Sequence, residues 1–163
     1  MALQLNPIAE ARGLRCIFGQ LRSIRLVSDG YGYGPKPEPG VEIEQHLTIS
    51  RTGQVWFSGY HYPEEYSVKE GLLRKERVSI SHAAAAEILD ALAAVFDRGD
   101  IGCFVTDMGT WNLEMRFSDG SKERYGGSMC FEPEISIAGK PLSQFIRDSI
   151  PIQDLFLFQR QYE

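Results

Sequence analysis

The chain has 163 residues, with a hydrophobic content of 43%, a charged content of 24% and a formal net charge of −5. The length suits one domain with a proper core, and the composition is typical of a globular protein. The negative charge argues against a general nucleic-acid-binding protein, which would usually present a basic surface, although it leaves room for local basic patches.

Cysteine usage and hydropathy indicate the compartment. The cysteines Cys16, Cys103 and Cys130 are odd in number and form no CxxC or CxH spacing, which favours free thiols in a reducing environment. No segment approaches the roughly 20 apolar residues that span a bilayer. The first residues also lack the basic start and apolar run of a secretory signal. We therefore expect a cytoplasmic protein without a transmembrane segment.

Residues 1–22 allow two interpretations. Four arginines and no acid lie between Glu10 and Asp29, and the apolar residues have helix-like spacing. The segment is then either a basic amphipathic helix that meets an acidic partner or a membrane surface, or a first element docked on the core with its arginines in solvent. The apolar residues concerned are Leu14, Ile17, Phe18 and Leu21.

A short strand over residues 24–27 leads into a loop at residues 28–40. Four glycines and three prolines in this loop are incompatible with a central strand or a helix. Their spacing matches neither a P-loop nor a dinucleotide-binding turn. The loop is either a mobile lid that carries Tyr31 and Tyr33 over a pocket or a plain surface connection.

The segment after the loop predicts a hairpin that turns at Gly53. With Gly53 in the left-handed bulge position, Ile49 pairs with Val55 and Leu47 pairs with Phe57, which joins apolar side chains. The other face of this hairpin then gathers an unusual set of aromatic and polar residues. They are Glu42, Glu44, His46 and Thr48 on one strand and Trp56, Ser58, Tyr60 and Tyr62 on the other.

Exposed aromatic patches often mark binding surfaces. We therefore predict a ligand-binding or partner-binding face. Its residues are His46, Trp56, Tyr60 and Tyr62, together with Tyr31 and Tyr33 from the loop. The alternative is that the N-terminal segment or a partner subunit covers this face, and that its rings are ordinary core residues. A second copy of the chain in that role would make the protein a homo-oligomer.

Residues 72–80 predict a third long strand, and Ser81 caps a helix over residues 82–96. Consecutive alanines give this segment strong helix propensity. Its apolar residues recur at i, i+3, i+4 and i+7, which places one stripe against the sheet. The stripe consists of Ile88, Leu89, Leu92, Val95 and Phe96.

The clearest hairpin spans residues 109–126, where large apolar residues alternate with polar ones before a turn at Asp119 and Gly120. A two-residue loop and a three-residue loop with Gly120 in the bulge position compete. We predict the second, because it sets Glu114 opposite Arg124 and gives an aromatic ring an aliphatic neighbour. That second pair is Leu113 with Tyr125.

The C-terminal region predicts a short helix over residues 142–150, begun by Pro141 and stopped by Pro151. The apolar run at residues 155–158 is too short for a helix of its own, and we expect it to be tucked into the core. Ile135 and Ile137 could pair at a sheet edge.

Catalytic and metal chemistry is weakly supported. His46 and His61 point to opposite faces in the bulged register, and no HExxH motif is present, so we predict no metal and no cofactor. Cys103 could act with His61 or Asp107 in a cysteine-dependent or acid-dependent hydrolase or transferase. The thiol of Cys103 follows the end of the alanine-rich helix, where a thiol pKa is not lowered. No set of residues satisfies both role and geometry.

The pattern as a whole predicts a single α+β domain over residues 1–163. We expect a mainly antiparallel sheet of about five to seven strands, with one long helix (82–96) on one face and a short C-terminal helix (142–150). The function that this arrangement favours is a binding or regulatory module whose partner is a protein or a small ligand. The hydrolase or transferase and the homo-oligomer remain the alternatives.

Overall fold

The computed structural model of the protein describes residues 19–32, 35, 37–61, 71–96, 105 and 107–159. Within these residues the chain forms a six-stranded antiparallel sheet, a small two-stranded ribbon and two helices. The predicted α+β class is confirmed.

The large sheet has the strand order β4-β3-β2-β1-β5-β6, so that β1 lies inside the sheet between β2 and β5. Its strands are β1 (Leu21–Asp29), β2 (Glu42–Ser50), β3 (Gln54–His61), β4 (Gly71–Ser79), β5 (Thr110–Phe117) and β6 (Lys122–Ser128). The ribbon consists of β7 (Ser136–Ile137) and β8 (Lys140–Pro141), and the helices are α1 (His82–Phe96) and α2 (Leu142–Ser149).

Both predicted hairpin turns depend on a glycine with positive φ. Gly53 has a φ of 90° and Gly120 a φ of 87°, a conformation that costs other residues steric strain. In the β2–β3 hairpin Ile49 pairs with Val55, as the bulged register requires. The predicted register of this hairpin is therefore confirmed.

The β5–β6 hairpin also has the predicted three-residue loop. The amide of Gly120 donates to the carbonyl of Phe117 over 3.0 Å. Glu114 lies opposite Arg124, and Leu113 lies opposite Tyr125. Asp119 stabilises the turn, because its Oδ1 accepts a hydrogen bond of 2.8 Å from the amide of Ser121. The predicted register of this hairpin is confirmed as well.

Strand β1 is longer than the short strand predicted at residues 24–27. It begins at Leu21, where the sequence leaves the conformation of the first element open despite its helix-like spacing, and where the structure has a strand. The register shifts between Leu21 and Ser23, and this bulge breaks the alternation that would have revealed the strand. Hydrogen-bonded neighbours on both sides favour the extended conformation over a helix. Residues 1–18 lie outside the described part of the chain.

Helix α1 has the predicted bounds. The Oγ of Ser81 accepts a hydrogen bond of 3.1 Å from the amide of Ala84, which is the expected N-terminal cap. Its apolar stripe is buried against the sheet, and Val95 is partly buried. Helix α2 ends at Ser149, one residue earlier than predicted, because Ile150 before Pro151 is extended.

The apolar segment at residues 155–158 is buried in the core, as predicted. The Oγ of Ser28 on β1 donates to the carbonyl of Leu157 over 2.6 Å. The guanidinium of Arg147 on α2 donates to the carbonyls of Leu155, Phe156 and Gln159 over 3.1, 3.1 and 3.2 Å. These bonds give the irregular backbone of the segment partners that a helix or a strand would otherwise supply.

Both described helices and the C-terminal segment pack on the same side of the sheet, which we call the inner face. We call the opposite side the outer face. The buried apolar residues of the strands on the inner face are Leu21, Ile24, Leu26, Ile43, Leu47, Ile49, Val55, Phe57, Trp111, Leu113, Met115 and Phe117.

Candidate functional site

Trp56 on β3, next to the edge strand β4, lies on the outer face. Its side chain is 39% exposed, whereas the next residue, Phe57, is 1% exposed on the inner face. Thr48 on β2 and Arg77 on β4 are its register partners. The Arg77 guanidinium carbon lies 5.5 Å from the centre of the indole ring, within the range of a cation–π contact.

Tyr60 and His46 form the second part of this aromatic surface. Their ring centres are 4.7 Å apart, with an angle of 49° between the ring planes. His46 lies between Glu44, 2.5 Å from its Nε2, and Arg25, 3.3 Å from its Nδ1. A guanidinium group only donates hydrogen bonds, so Nδ1 accepts and Nε2 donates to Glu44. The imidazole ring is thereby fixed in one orientation and one tautomer.

Leu72 extends the aromatic surface toward the edge of the sheet. It is 52% exposed and lies opposite Tyr60 in the β3–β4 register. The sequence predicts the strand that contains Leu72 but does not assign Leu72 to this face. The register shift between Gly59 and Tyr60 is what brings Leu72 beside the tyrosine, and alternation in β4 alone does not reveal it.

Glu42 does not lie on the outer face, although the alternation of side chains along the strand predicts that position. The β2–β3 register shifts between Glu42 and Glu44. As a result its carboxylate turns to the inner face, where Gln45 donates to it over 2.6 Å. Arg74 also donates to it, over 2.7 and 2.9 Å. The prediction for Glu42 is therefore wrong, and the reason is a bulge.

The outer face is more basic than the chain as a whole. By register, cationic side chains outnumber carboxylates on it six to three, although the chain has a net charge of −5. The cations are Arg25, Lys75, Arg77, Arg116, Lys122 and Arg124, and the carboxylates are Asp29, Glu44 and Glu114.

The cations of the outer face differ in their partners. Glu114 accepts hydrogen bonds from Arg116 over 2.6 Å and from Arg124 over 3.1 Å, and these bonds hold its pKa below the ordinary value. Within the described residues Lys75 and Arg77, which lie nearest to Trp56, have no carboxylate partner. Uncompensated positive charge is therefore concentrated around the exposed indole ring.

A small cavity of about 200 Å³ lies where β1 ends and β2 and β5 begin. It brings together Tyr31 from the glycine-rich loop and Asp107, two residues that sequence reasoning assigns to different roles. Asp107 has a φ of 76°, a conformation uncommon for a residue other than glycine. The remaining lining residues are Gly30, Gly32, Pro35, Pro37, Val41, Ile43, Met108 and Gly109.

Asp29 stabilises the start of the loop that forms this cavity. Its Oδ1 accepts a hydrogen bond of 2.9 Å from the amide of Tyr31. Burial raises the pKa of Asp29 above its ordinary value, and the nearby carboxylate of Glu44 raises it further, against the opposing effect of the Tyr31 hydrogen bond.

The remaining sequence candidates are Tyr33, Tyr62, Cys103 and His61. Tyr33, Tyr62 and Cys103 lie outside the described residues. His61 pairs with Glu42 at the end of β3, and its ring lies against Gly71 on the neighbouring strand. In the described part of the chain, no group of three or more His, Cys, Asp or Glu residues is arranged to hold a metal ion.

Comparison with protein-family models finds no match, and no curated protein matches the sequence at a significant level. Neither of the helices described here has the length and apolar character needed to cross a membrane.

Proposed function

We propose that the protein is a binding or regulatory module that recognises its partner through the outer face of the sheet. The residues that carry recognition are Trp56, Tyr60 and His46 on the outer face, and Tyr31, which lines the cavity at the end of β1, belongs to the same proposal. Tyr33 and Tyr62 belong to the same proposal from the sequence alone. The observation that supports it most directly is the exposed indole ring of Trp56, one residue away from the fully buried Phe57.

The types of residue on this face support a binding role. Tryptophan, tyrosine and arginine are the residues most enriched among those that dominate interface energies. Trp56 is in contact with Arg77, and Tyr60 is in contact with His46. Side chains that are already ordered lose little conformational entropy when a partner binds.

The test replaces Trp56 and Tyr60 with alanine, singly and together. Capture of partners from a cell extract by the immobilised protein should be lost, while the thermal unfolding temperature stays close to that of the unchanged chain. Val105→Ala is the control, because Val105 is 44% exposed and belongs to none of the strands of the sheet. If the Trp56 and Tyr60 variants unfold instead, the rings are core residues and the proposal is wrong.

A second copy of the chain is one protein partner that this face could accept. Light scattering at several protein concentrations distinguishes that case, because self-association through Trp56 should disappear in Trp56→Ala. We place the module in the cytoplasm, since sparse cysteine usage favours a reducing compartment.

A further inference from the structure

We propose that the outer face binds an acidic, extended segment of a protein partner. The carboxylates of that segment would pair with Arg25, Lys75 and Arg77, and one of its apolar or aromatic side chains would pack on Trp56. This inference rests on the proposed function and adds the chemistry of the partner.

The charge of the outer face is complementary to that of an acidic segment. The outer face carries twice as many cations as carboxylates on a chain with a net charge of −5, so positive charge is concentrated on this side of the molecule. Such a separation steers an oppositely charged partner to one surface and speeds association. Lys75 and Arg77 also have no carboxylate partner in the described structure that a ligand would have to displace.

Two of these cations lie on either side of the indole ring in the strand register. Arg77, Trp56, Thr48 and Arg25 follow one another across the sheet in register. Strands lie about 4.8 Å apart, so the backbones of Arg77 and Arg25 are separated by roughly 14 Å, with Trp56 between them.

An extended peptide matches this spacing. It rises about 3.3 Å per residue and presents every second side chain on one side, so residues i and i+4 are separated by about 13 Å. A segment with acidic residues at i and i+4 and an apolar or aromatic residue at i+2 therefore places its carboxylates at Arg77 and Arg25 and its central side chain at Trp56.

A nucleic-acid strand fits the same face less well. Carboxylates interrupt the cationic surface at Asp29, Glu44 and Glu114. The register row of Arg77, Trp56, Thr48 and Arg25 continues to Glu114 on β5, so a phosphate chain that extends along this row beyond Arg25 meets a carboxylate. The negative charge of the whole chain also repels a long polyanion more strongly than a short acidic segment. A peptide with spaced carboxylates avoids both costs.

The experiment measures fluorescence anisotropy with three labelled probes at low and at moderate salt. The first probe is a peptide that repeats glutamate, serine, tyrosine, serine and glutamate, the second has lysine in place of glutamate, and the third is oligothymidylate. The unchanged protein should bind the acidic peptide best, and the affinity should fall as salt rises.

Charge variants assign the binding to the proposed residues. Lys75→Glu combined with Arg77→Glu should weaken binding of the acidic peptide at least about tenfold, because attraction becomes repulsion. Lys140→Glu is the matched control, because it makes the same change of charge at one site. Lys140 lies beside α2 on the inner side, so the affinity for the acidic peptide should stay within about twofold of that of the unchanged protein. Arg77→Lys should retain most of the affinity, and Lys75→Glu alone provides a milder variant whose thermal unfolding should be unchanged.

The contrary results distinguish a failure of the acidic partner from a failure of the proposed binding function. If the lysine peptide or oligothymidylate binds best and Trp56→Ala abolishes that binding, the outer face is a binding surface but the acidic partner is wrong. The acidic partner is equally wrong if no probe binds while capture from extract still depends on Trp56. If the acidic peptide binds Lys75→Glu/Arg77→Glu as well as the unchanged protein, the inference fails. If Trp56→Ala changes neither probe binding nor capture, the proposed function fails with it.

Discussion

The Arg77 guanidinium lies 5.5 Å from the ring centre of its register partner Trp56 on the outer face. On the inner face, Arg74 lies 4.5 Å from the ring centre of Phe57, the next residue along β3. The two arginines differ in their other partners, because Arg74 is held by the carboxylate of Glu42, whereas Arg77 has no carboxylate among the described residues. The inner arginine thus closes the edge of the core, and the outer one is available to a ligand.

This difference predicts unequal effects on stability. Arg74→Ala should lower the free energy of unfolding by roughly 2–3 kcal/mol, because the Glu42 carboxylate, 16% exposed, loses its charged partner. Arg77→Ala should lower it by less than about 0.5 kcal/mol, as expected for an exposed residue without an ion pair. Urea denaturation measures both values. Equal losses would contradict the division of roles between the two arginines.

Two glycines with nearly the same backbone conformation provide a matched pair. At Gly120 an added Cβ meets nothing within 4 Å, so Gly120→Ala should cost only the strain of positive φ, about 1–2 kcal/mol. At Gly53 an added Cβ would clash with the carbonyl oxygen of Ile80, and the same substitution must also shift the backbone. Gly53→Ala should therefore lower the thermal unfolding temperature more than Gly120→Ala. The reverse order would show that the turn does not contact Ile80.

Arg147 should contribute more to stability than its place on a short helix suggests. Substitution by methionine keeps much of the apolar stem but leaves the carbonyls of Leu155, Phe156 and Gln159 without this donor. We expect a loss of about 2–3 kcal/mol in the free energy of unfolding. We also expect faster amide hydrogen exchange in the segment at residues 155–158. Slow exchange in the variant would mean that packing alone holds the segment.

The pH dependence of stability should have opposite signs at two aspartates. The pKa of Asp29 is raised mainly by burial, so the folded state binds more protons than the unfolded state. Its contribution to stability therefore falls as pH rises from the ordinary value of about 3.9 through the folded-state pKa. Asp29→Asn removes that loss, and its stability relative to the unchanged chain should be higher at neutral pH than at acidic pH.

Asp119 is the control for this measurement. Hydrogen bonds from Ser121 lower its pKa, so its contribution is present above the ordinary pKa and is lost as pH falls through the folded-state pKa. The stability of Asp119→Asn relative to the unchanged chain should accordingly be lower at neutral pH than at acidic pH. Thermal unfolding between acidic and neutral pH tests both variants, and the same sign for the two would contradict the assignments.

Short-range sequence patterns predict the elements that neighbouring residues determine. The alternation from Trp111 to Phe117, with Gly120 three residues beyond, determines both the strand and its register, and the alanine-rich stripe determines α1. These patterns fail at Leu21 and Glu42, where bulges interrupt the alternation of side chains. A bulge depends on the pairing of whole strands, and the neighbouring residues alone do not indicate it.

The candidate site is predictable in part for the same reason. Trp56, Tyr60 and His46 belong to one hairpin, so sequence reasoning can place them on one face. The cations that surround them come from strands far apart in the chain, as Arg25, Lys75 and Arg124 illustrate. Only the strand order brings these residues to one surface, and no single segment of the sequence carries that information.

Ion quenching of tryptophan fluorescence tests most directly whether Trp56 is an exposed ring in a positively charged surface. The chain has two tryptophans, and Trp111 is 1% exposed, so the difference between the unchanged protein and Trp56→Phe isolates the signal of Trp56. With each ion referred to its quenching of free N-acetyltryptophanamide, iodide, an anion, should quench this signal more strongly than caesium, a cation, and added salt should reduce the difference. Equal protection from both ions would show that the ring is covered, and stronger quenching by caesium would contradict the cationic face.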